Sequence, residues 1–168
     1  MKLRLQSILF FLSALVLGAL FFMPLASYLD DYGTYLKLYV YGVNTVSVAP
    51  NVELSFSAIY TLPLLILTVA VILINFYISI SILRAVRLPQ FVKLFKLSRV
   101  NIALAAVLIA TIFVYYLMKT GANIATIPSF AWPAWGAFLP LIAIIMMLVA
   151  SSSLKKDLAK VRAVDRIR

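Results

Sequence analysis

The chain has 168 residues, 65% of them hydrophobic and only 12% charged, with a formal net charge of +10. Soluble domains run at about 45–50% apolar and about 25% charged. A chain this small has too little interior to hide so much apolar surface, so a water-soluble monomer and a disordered chain are both excluded. The absence of cysteine and histidine removes disulfides, thiolate nucleophiles, the usual zinc and haem ligands and the usual neutral-pH proton shuttle.

The first apolar stretch covers residues 5–25, after Lys2 and Arg4. It competes with a signal-peptide reading in which Ala26 ends the leader. The run exceeds the usual apolar core of about 7–15 residues, and Pro24 falls where a small residue is wanted. The stretch is therefore read as a retained span.

Residues 27–57 form the first loop. Residues 34–41 alternate, with Leu36, Leu38 and Val40 on one side and Tyr35, Lys37, Tyr39 and Tyr41 on the other. Period two is the strand signal. A turn at residues 42–44 and a return strand at 45–48 complete an expected small β-hairpin. A hairpin alone is marginal in water, so it is expected to lean on the helices or on a partner. Five of the nine tyrosines (Tyr28, Tyr32, Tyr35, Tyr39 and Tyr41) lie here. They read as interfacial anchors, with Tyr35, Tyr39 and Tyr41 as a candidate partner surface. Asp30, Asp31 and Glu53 are the loop's acids.

The second span is expected at residues 58–83. Its polar content is Thr61, Thr68, Asn75 and Ser79. An amide in hydrocarbon seeks a partner on a neighbouring helix, so Asn75, with Thr68, is the candidate interhelix contact. The connection at residues 84–99 is basic, with Arg84, Arg87, Lys93, Lys96 and Arg99. After Pro89 it reads as an amphipathic helix lying on the membrane surface, with Phe91, Leu94, Phe95 and Leu97 on its apolar face.

The third span is expected at residues 100–118, with Asn101 near its inner interface. The loop at 119–134 contains Gly121, Pro128 and Pro133, which argue against regular structure. Tyr115, Tyr116, Trp132 and Trp135 read as an aromatic belt at one membrane face. The fourth span, 135–154, runs into a basic tail at 155–168. Pro63 and Pro140 lie in the first turns of their spans, where each is a candidate kink.

Four uncharged stretches near the length of about 20 residues that crosses a bilayer give an all-α membrane protein of four transmembrane helices and one domain. Thirteen of the fifteen Lys and Arg residues fall in the N-terminus, the middle connection and the tail. Basic residues stay cytoplasmic, so both termini are expected inside, in the bacterial inner membrane.

Two stretches carry a resemblance. One is Trp132-Pro133-Ala134-Trp135-Gly136-Ala137-Phe138-Leu139-Pro140. The other is the ending from Lys155-Lys156-Asp157 to Asp165-Arg166-Ile167-Arg168. With the opening Met1-Lys2-Leu3-Arg4-Leu5-Gln6-Ser7, they resemble the small four-span membrane proteins of Bacteroidetes classified as domain of unknown function 4293. The resemblance implies a four-helix inner-membrane protein and brings no catalytic residue.

No ionisable residue falls inside a span, which disfavours catalysis and proton-coupled transport. The reading is a non-catalytic accessory or scaffold subunit that contacts lipids and other membrane proteins. No cofactor or metal is implied, and nothing suggests nucleic acid. The alternative is a small uncoupled transporter or channel, with Asn75, Thr68 and Tyr77 lining its path. An enzyme would have to use Asp30, Asp31 or Glu53.

Overall fold

The computed structural model describes residues 5–29, 35–47, 61–85, 88–117 and 130–165. Four helices and a small antiparallel sheet account for most of them. Helix α1 (Leu5–Gly18) ends in a 3-10 turn, Ala19–Phe21. Strands β1 (Ala26–Leu29), β2 (Tyr35–Tyr39) and β3 (Gly42–Ser47) follow. Helices α2 (Leu62–Arg84) and α3 (Leu88–Leu117) come next, then β4 (Phe130–Pro133), a 3-10 turn at Trp135–Phe138, and α4 (Leu139–Asp165). Three helical stretches are long and apolar enough to cross a membrane: Leu62–Arg84, Pro89–Val114 and Trp135–Lys160. The apolar helix Leu5–Phe21 is shorter.

Each helix buries one stripe whose members are spaced alternately three and four apart. In α2 these are Leu64, Thr68, Val71, Asn75, Ile78 and Ile82. In α3 they are Phe91, Leu94, Ser98, Asn101, Ala105, Leu108 and Ile112. This spacing keeps a seam facing its neighbours along the whole helix. The helices pack in a ring, α1 on α2, α2 on α3, α3 on α4 and α4 on α1. Contacts such as Ser7 with Ser79 and Ser98 with Ser151 make successive helices antiparallel. The start of α1, the end of α2, the start of α3 and the end of α4 therefore share one end of the bundle. Among the described residues, every Lys and Arg except Lys37 lies at that basic end.

The outward faces are apolar and exposed: Phe11 and Leu15 on α1, Ile66 and Leu73 on α2, Val107 and Val114 on α3, Ile145 and Leu148 on α4. A continuous apolar mantle around a bundle whose core is already full is the surface that lipid, not water, would cover.

The middle connection departs from expectation. Residues 88–99 are not a separate helix on the membrane surface but the first three turns of α3. Their inward side chains, Phe91, Leu94 and Ser98, continue the same buried stripe as Asn101 and Ala105. The bundle thus extends beyond the uncharged stretch. The tail behaves alike, since α4 runs unbroken to Asp165.

The prolines do not kink the helices. Pro63, Pro89 and Pro140 each stand second in their helix, after Leu62, Leu88 and Leu139. A first-turn proline lacks only an N–H that has no partner within the helix.

At the opposite end the sheet has the order β3-β2-β1-β4. The expected hairpin exists, but its turn is Val40–Tyr41 rather than residues 42–44, and Tyr39 pairs with Gly42. Two further strands extend it. β1 pairs antiparallel with β2 on one side and with β4 on the other. The ladder continues past β1, where Leu25 N–H donates to Leu38 O at 2.7 Å and Ala134 N–H donates to Leu25 O at 3.1 Å. β4 lies inside the loop expected to be irregular. Pro133 is compatible because β4 borders only β1, and an edge strand tolerates a residue without an N–H. Ala26, Tyr28, Leu36, Leu38 and Val40 are buried in the same apolar cluster as the helices, so the sheet caps the bundle. Tyr28 is thus a core residue rather than an interfacial anchor. Gly136 touches the chain that leaves α1, and a Cβ there would collide with the Pro24 carbonyl.

Candidate functional site: polar contacts and a cationic cleft at the basic end

The half of the bundle near the basic end carries at least one side-chain polar contact at each of its four helix interfaces. Between α1 and α2, Ser7 Oγ donates to Ser79 O at 2.7 Å and Ser79 Oγ donates to Ser7 O at 2.9 Å. A hydroxyl reaches a neighbour's backbone only where two helices approach closely through small residues. Between α2 and α3, Asn101 Nδ2 donates to Asn75 Oδ1 at 2.8 Å. Between α3 and α4, Ser98 and Ser151 hydroxyls meet at 3.1 Å. Between α4 and α1, Gln6 Nε2 donates to Asp157 Oδ2.

The sequence-derived candidates divide on this frame. Asn75 is fully buried and bonded to Asn101, which is also fully buried. Asn101, expected near the inner membrane interface, thus faces the bundle interior. Its amide also approaches Met147 Sδ at 3.5 Å. Asn75 Nδ2 and Asn101 Oδ1 have no hydrogen-bond partner among the described residues. Thr68 is buried, but its hydroxyl donates to Leu64 O of its own helix at 2.8 Å, the usual sink for a helical threonine. Tyr77 is 61% exposed on the outer surface, so it does not line the interior with Asn75 and Thr68.

Of the aromatic belt, Trp135 is 85% exposed in the turn before α4. Trp132 lies in β4 and Tyr115 and Tyr116 in the last turn of α3; their side chains are outside the described set, as are Asp30, Asp31 and Glu53. The sheet keeps Tyr35, Lys37 and Tyr39 on its outer face. Lys37 Nζ sits 5.4 Å from the Tyr35 ring centre. Tyr39 stacks on the exposed Tyr41 with centroids 5.3 Å apart. The tyrosines thus fall into a cation–π pair at Tyr35 and a stacked pair at Tyr39 and Tyr41.

Gln6, Ser7, Ser98 and Ser151 were not singled out from the sequence. Their signal is positional, since each falls on the buried stripe of its helix, where an alkyl side chain would be expected.

Outside the bundle core, α3 and α4 diverge at the basic end around a cleft of about 550 Å³. Lys96 and Arg99 of α3 and Lys155 and Arg162 of α4 surround it, over a floor that includes Phe95 and Leu158. Arg99 lies over the Phe95 ring at 4.6 Å, so its guanidinium is held beside the apolar floor by a cation–π contact. No described acid lines the cleft. Asp157 points away from it, toward Gln6 and, at 3.9 Å, toward Lys160. Four cations with no carboxylate among the described lining residues form an anion-attracting surface. A smaller cleft between α2 and α3, of about 220 Å³, holds Arg84 and Lys93.

The family model described as Domain of unknown function (DUF4293) matches residues 3–167 of the chain. No curated protein and no solved structure matches it.

Proposed function

The chain belongs to the domain of unknown function 4293 family, and from that premise we propose a four-span inner-membrane protein that serves as a non-catalytic accessory or scaffold subunit. In this reading α1 spans with the other three helices. It is 17 residues long from Leu5 to Phe21, the lower limit of about 17–25 for a crossing. Both termini and the basic end then face the cytoplasm, by the charge asymmetry that orients membrane helices. The sheet faces outward.

The observation that carries the scaffold reading is the way the interior is used up. Among the described residues, no Asp, Glu, Lys or Arg side chain is buried, and the buried positions hold packed apolar groups and short polar contacts between neighbouring helices. Such a bundle is built to stand rigidly rather than to pass a proton or a charged solute. What it presents outward is the face bearing Tyr35, Lys37, Tyr39 and Tyr41. Tyrosine is favoured in contact surfaces because it offers a large rigid area and a polar tip.

Gentle solubilisation from native membranes is expected to bring down a stoichiometric membrane partner. Replacing Tyr35, Tyr39 and Tyr41 together by alanine should release it. Repeated isolation of the chain alone overturns the scaffold role. A reporter fused after Arg168 is expected on the cytoplasmic side, and emergence on the other side overturns the orientation. A second reading, an uncoupled transporter, draws on the unpaired amide groups of Asn75 and Asn101. Reconstituted solute flux abolished by Asn75→Leu would favour it over the scaffold.

A further inference from the structure

We infer that the cleft between α3 and α4 is a binding site for the headgroup of an anionic phospholipid, one molecule of which lies against the two helices. The inference rests on the membrane reading above. Lys96, Arg99, Lys155 and Arg162 converge on a volume of about 550 Å³, within the range of about 300–1,000 Å³ that holds small ligands. A phosphate there meets donors from two helices. Basic pockets between helices at the cytoplasmic surface are the physical setting for anionic headgroups.

The surroundings separate a lipid from a free anion. A soluble phosphate gains nothing from Phe95 and Leu158, which form the apolar floor. On a helical wheel the flank of α3 that carries Arg99 continues through Ala103 and Ala106, both exposed. On α4 the flank that carries Lys155 continues through the half-exposed Leu148. The flanks that leave the cationic cleft are therefore apolar on both helices. An acyl chain can lie along them while the cations hold the phosphate. An acidic peptide would find the cations but would leave the apolar flanks uncovered.

The test uses the full chain, purified in a non-ionic detergent and stripped of lipid. Native mass spectrometry with equimolar phosphatidylglycerol and phosphatidylcholine counts the retained lipid of each kind. Each cation near an anionic headgroup contributes roughly a fivefold factor, so a preference of at least about tenfold for phosphatidylglycerol is expected. The variant K96Q/R99Q/K155Q/R162Q should lose that preference. The variant R84Q/K93Q/K156Q/K160Q removes equal charge elsewhere and should keep it.

No preference in the native chain, or an equal loss in both variants, overturns the site. Displacement of the lipid by millimolar inorganic phosphate overturns the lipid in favour of a free anion, and displacement by polyglutamate overturns it in favour of an acidic protein. Alkaline washing of native membranes is read separately. A chain that stays in the membrane without lipid preference sinks this inference alone, whereas a chain that washes off sinks the membrane reading.

Discussion

Asn75 and Asn101 lie farther from the basic end than the other three interhelix polar contacts, and they are not equivalent. Asn101 Nδ2 has both the Asn75 carbonyl and, more weakly, Met147 Sδ beside it, whereas the Asn75 amide bonds to Asn101. Replacing Asn101 by leucine strands a buried amide, at a cost of about 1–3 kcal/mol. Replacing Asn75 by leucine leaves Asn101 its sulfur contact and should cost less. With both replaced, no unpaired amide remains, and stability should recover to near that of the native chain. The pair's coupling is then the sum of the two single losses, larger than the average of about 0.6 kcal/mol between membrane helices. Denaturant titrations in detergent micelles across the four proteins measure it. Equal losses for the two single variants would show that Met147 contributes nothing. Asn75 was legible in the sequence as an amide inside an apolar run. Its partner was not, because Asn101 follows Arg99 and Val100 and so looks like the edge of a span when only local polarity is read.

At the scale of elements, α3 shows how packing outruns hydropathy. A window of uncharged residues begins only after Arg99, yet the helix begins at Leu88. The stripe Phe91, Leu94, Ser98, Asn101 was visible as spacing, and the Leu-Pro pairs at 62–63, 88–89 and 139–140 mark three helix starts. Lysines between the stripe residues hid the continuity, because they lie on the solvated side of the same helix. Phe91→Ala and Leu94→Ala should each cost about 3 kcal/mol, the scale of a truncated core residue. Lys93→Ala should change stability by no more than about 0.5 kcal/mol. The comparison is made by unfolding in micelles, and a neutral Phe91→Ala would mean that the first turns of α3 do not pack on the bundle. The hairpin was legible for a similar reason, since Leu36, Leu38 and Val40 alternate with polar neighbours. β1 and β4 are four residues each. Segments that short carry no period of their own, and their pairing is a long-range matter that local pattern cannot reveal.

At the scale of the whole molecule, the sheet ties together segments far apart in the chain. Ser27 of β1 stands opposite Lys37 of β2 and Trp132 of β4. Directly opposed strand residues have Cα atoms about 4.5–5.5 Å apart, within the range of about 4.4–6.8 Å that a disulfide accepts. The chain has no cysteine of its own. The double variant S27C/W132C is expected to form one intramolecular crosslink under mild oxidation, seen as a mobility shift on non-reducing gels. The offset pair S27C/A131C should not, because neighbouring strand positions face opposite sides. Efficient crosslinking of the offset pair would refute the register.

The position of β1 also bears on how the molecule is made. During synthesis β1, β2 and β3 emerge together, but the far side of β1 stays bare until α2 and α3 have been laid down and β4 follows them. An exposed row of backbone donors and acceptors recruits other strands. A polypeptide interrupted before its last strand would therefore display a sticky margin along β1 that the finished protein covers with β4.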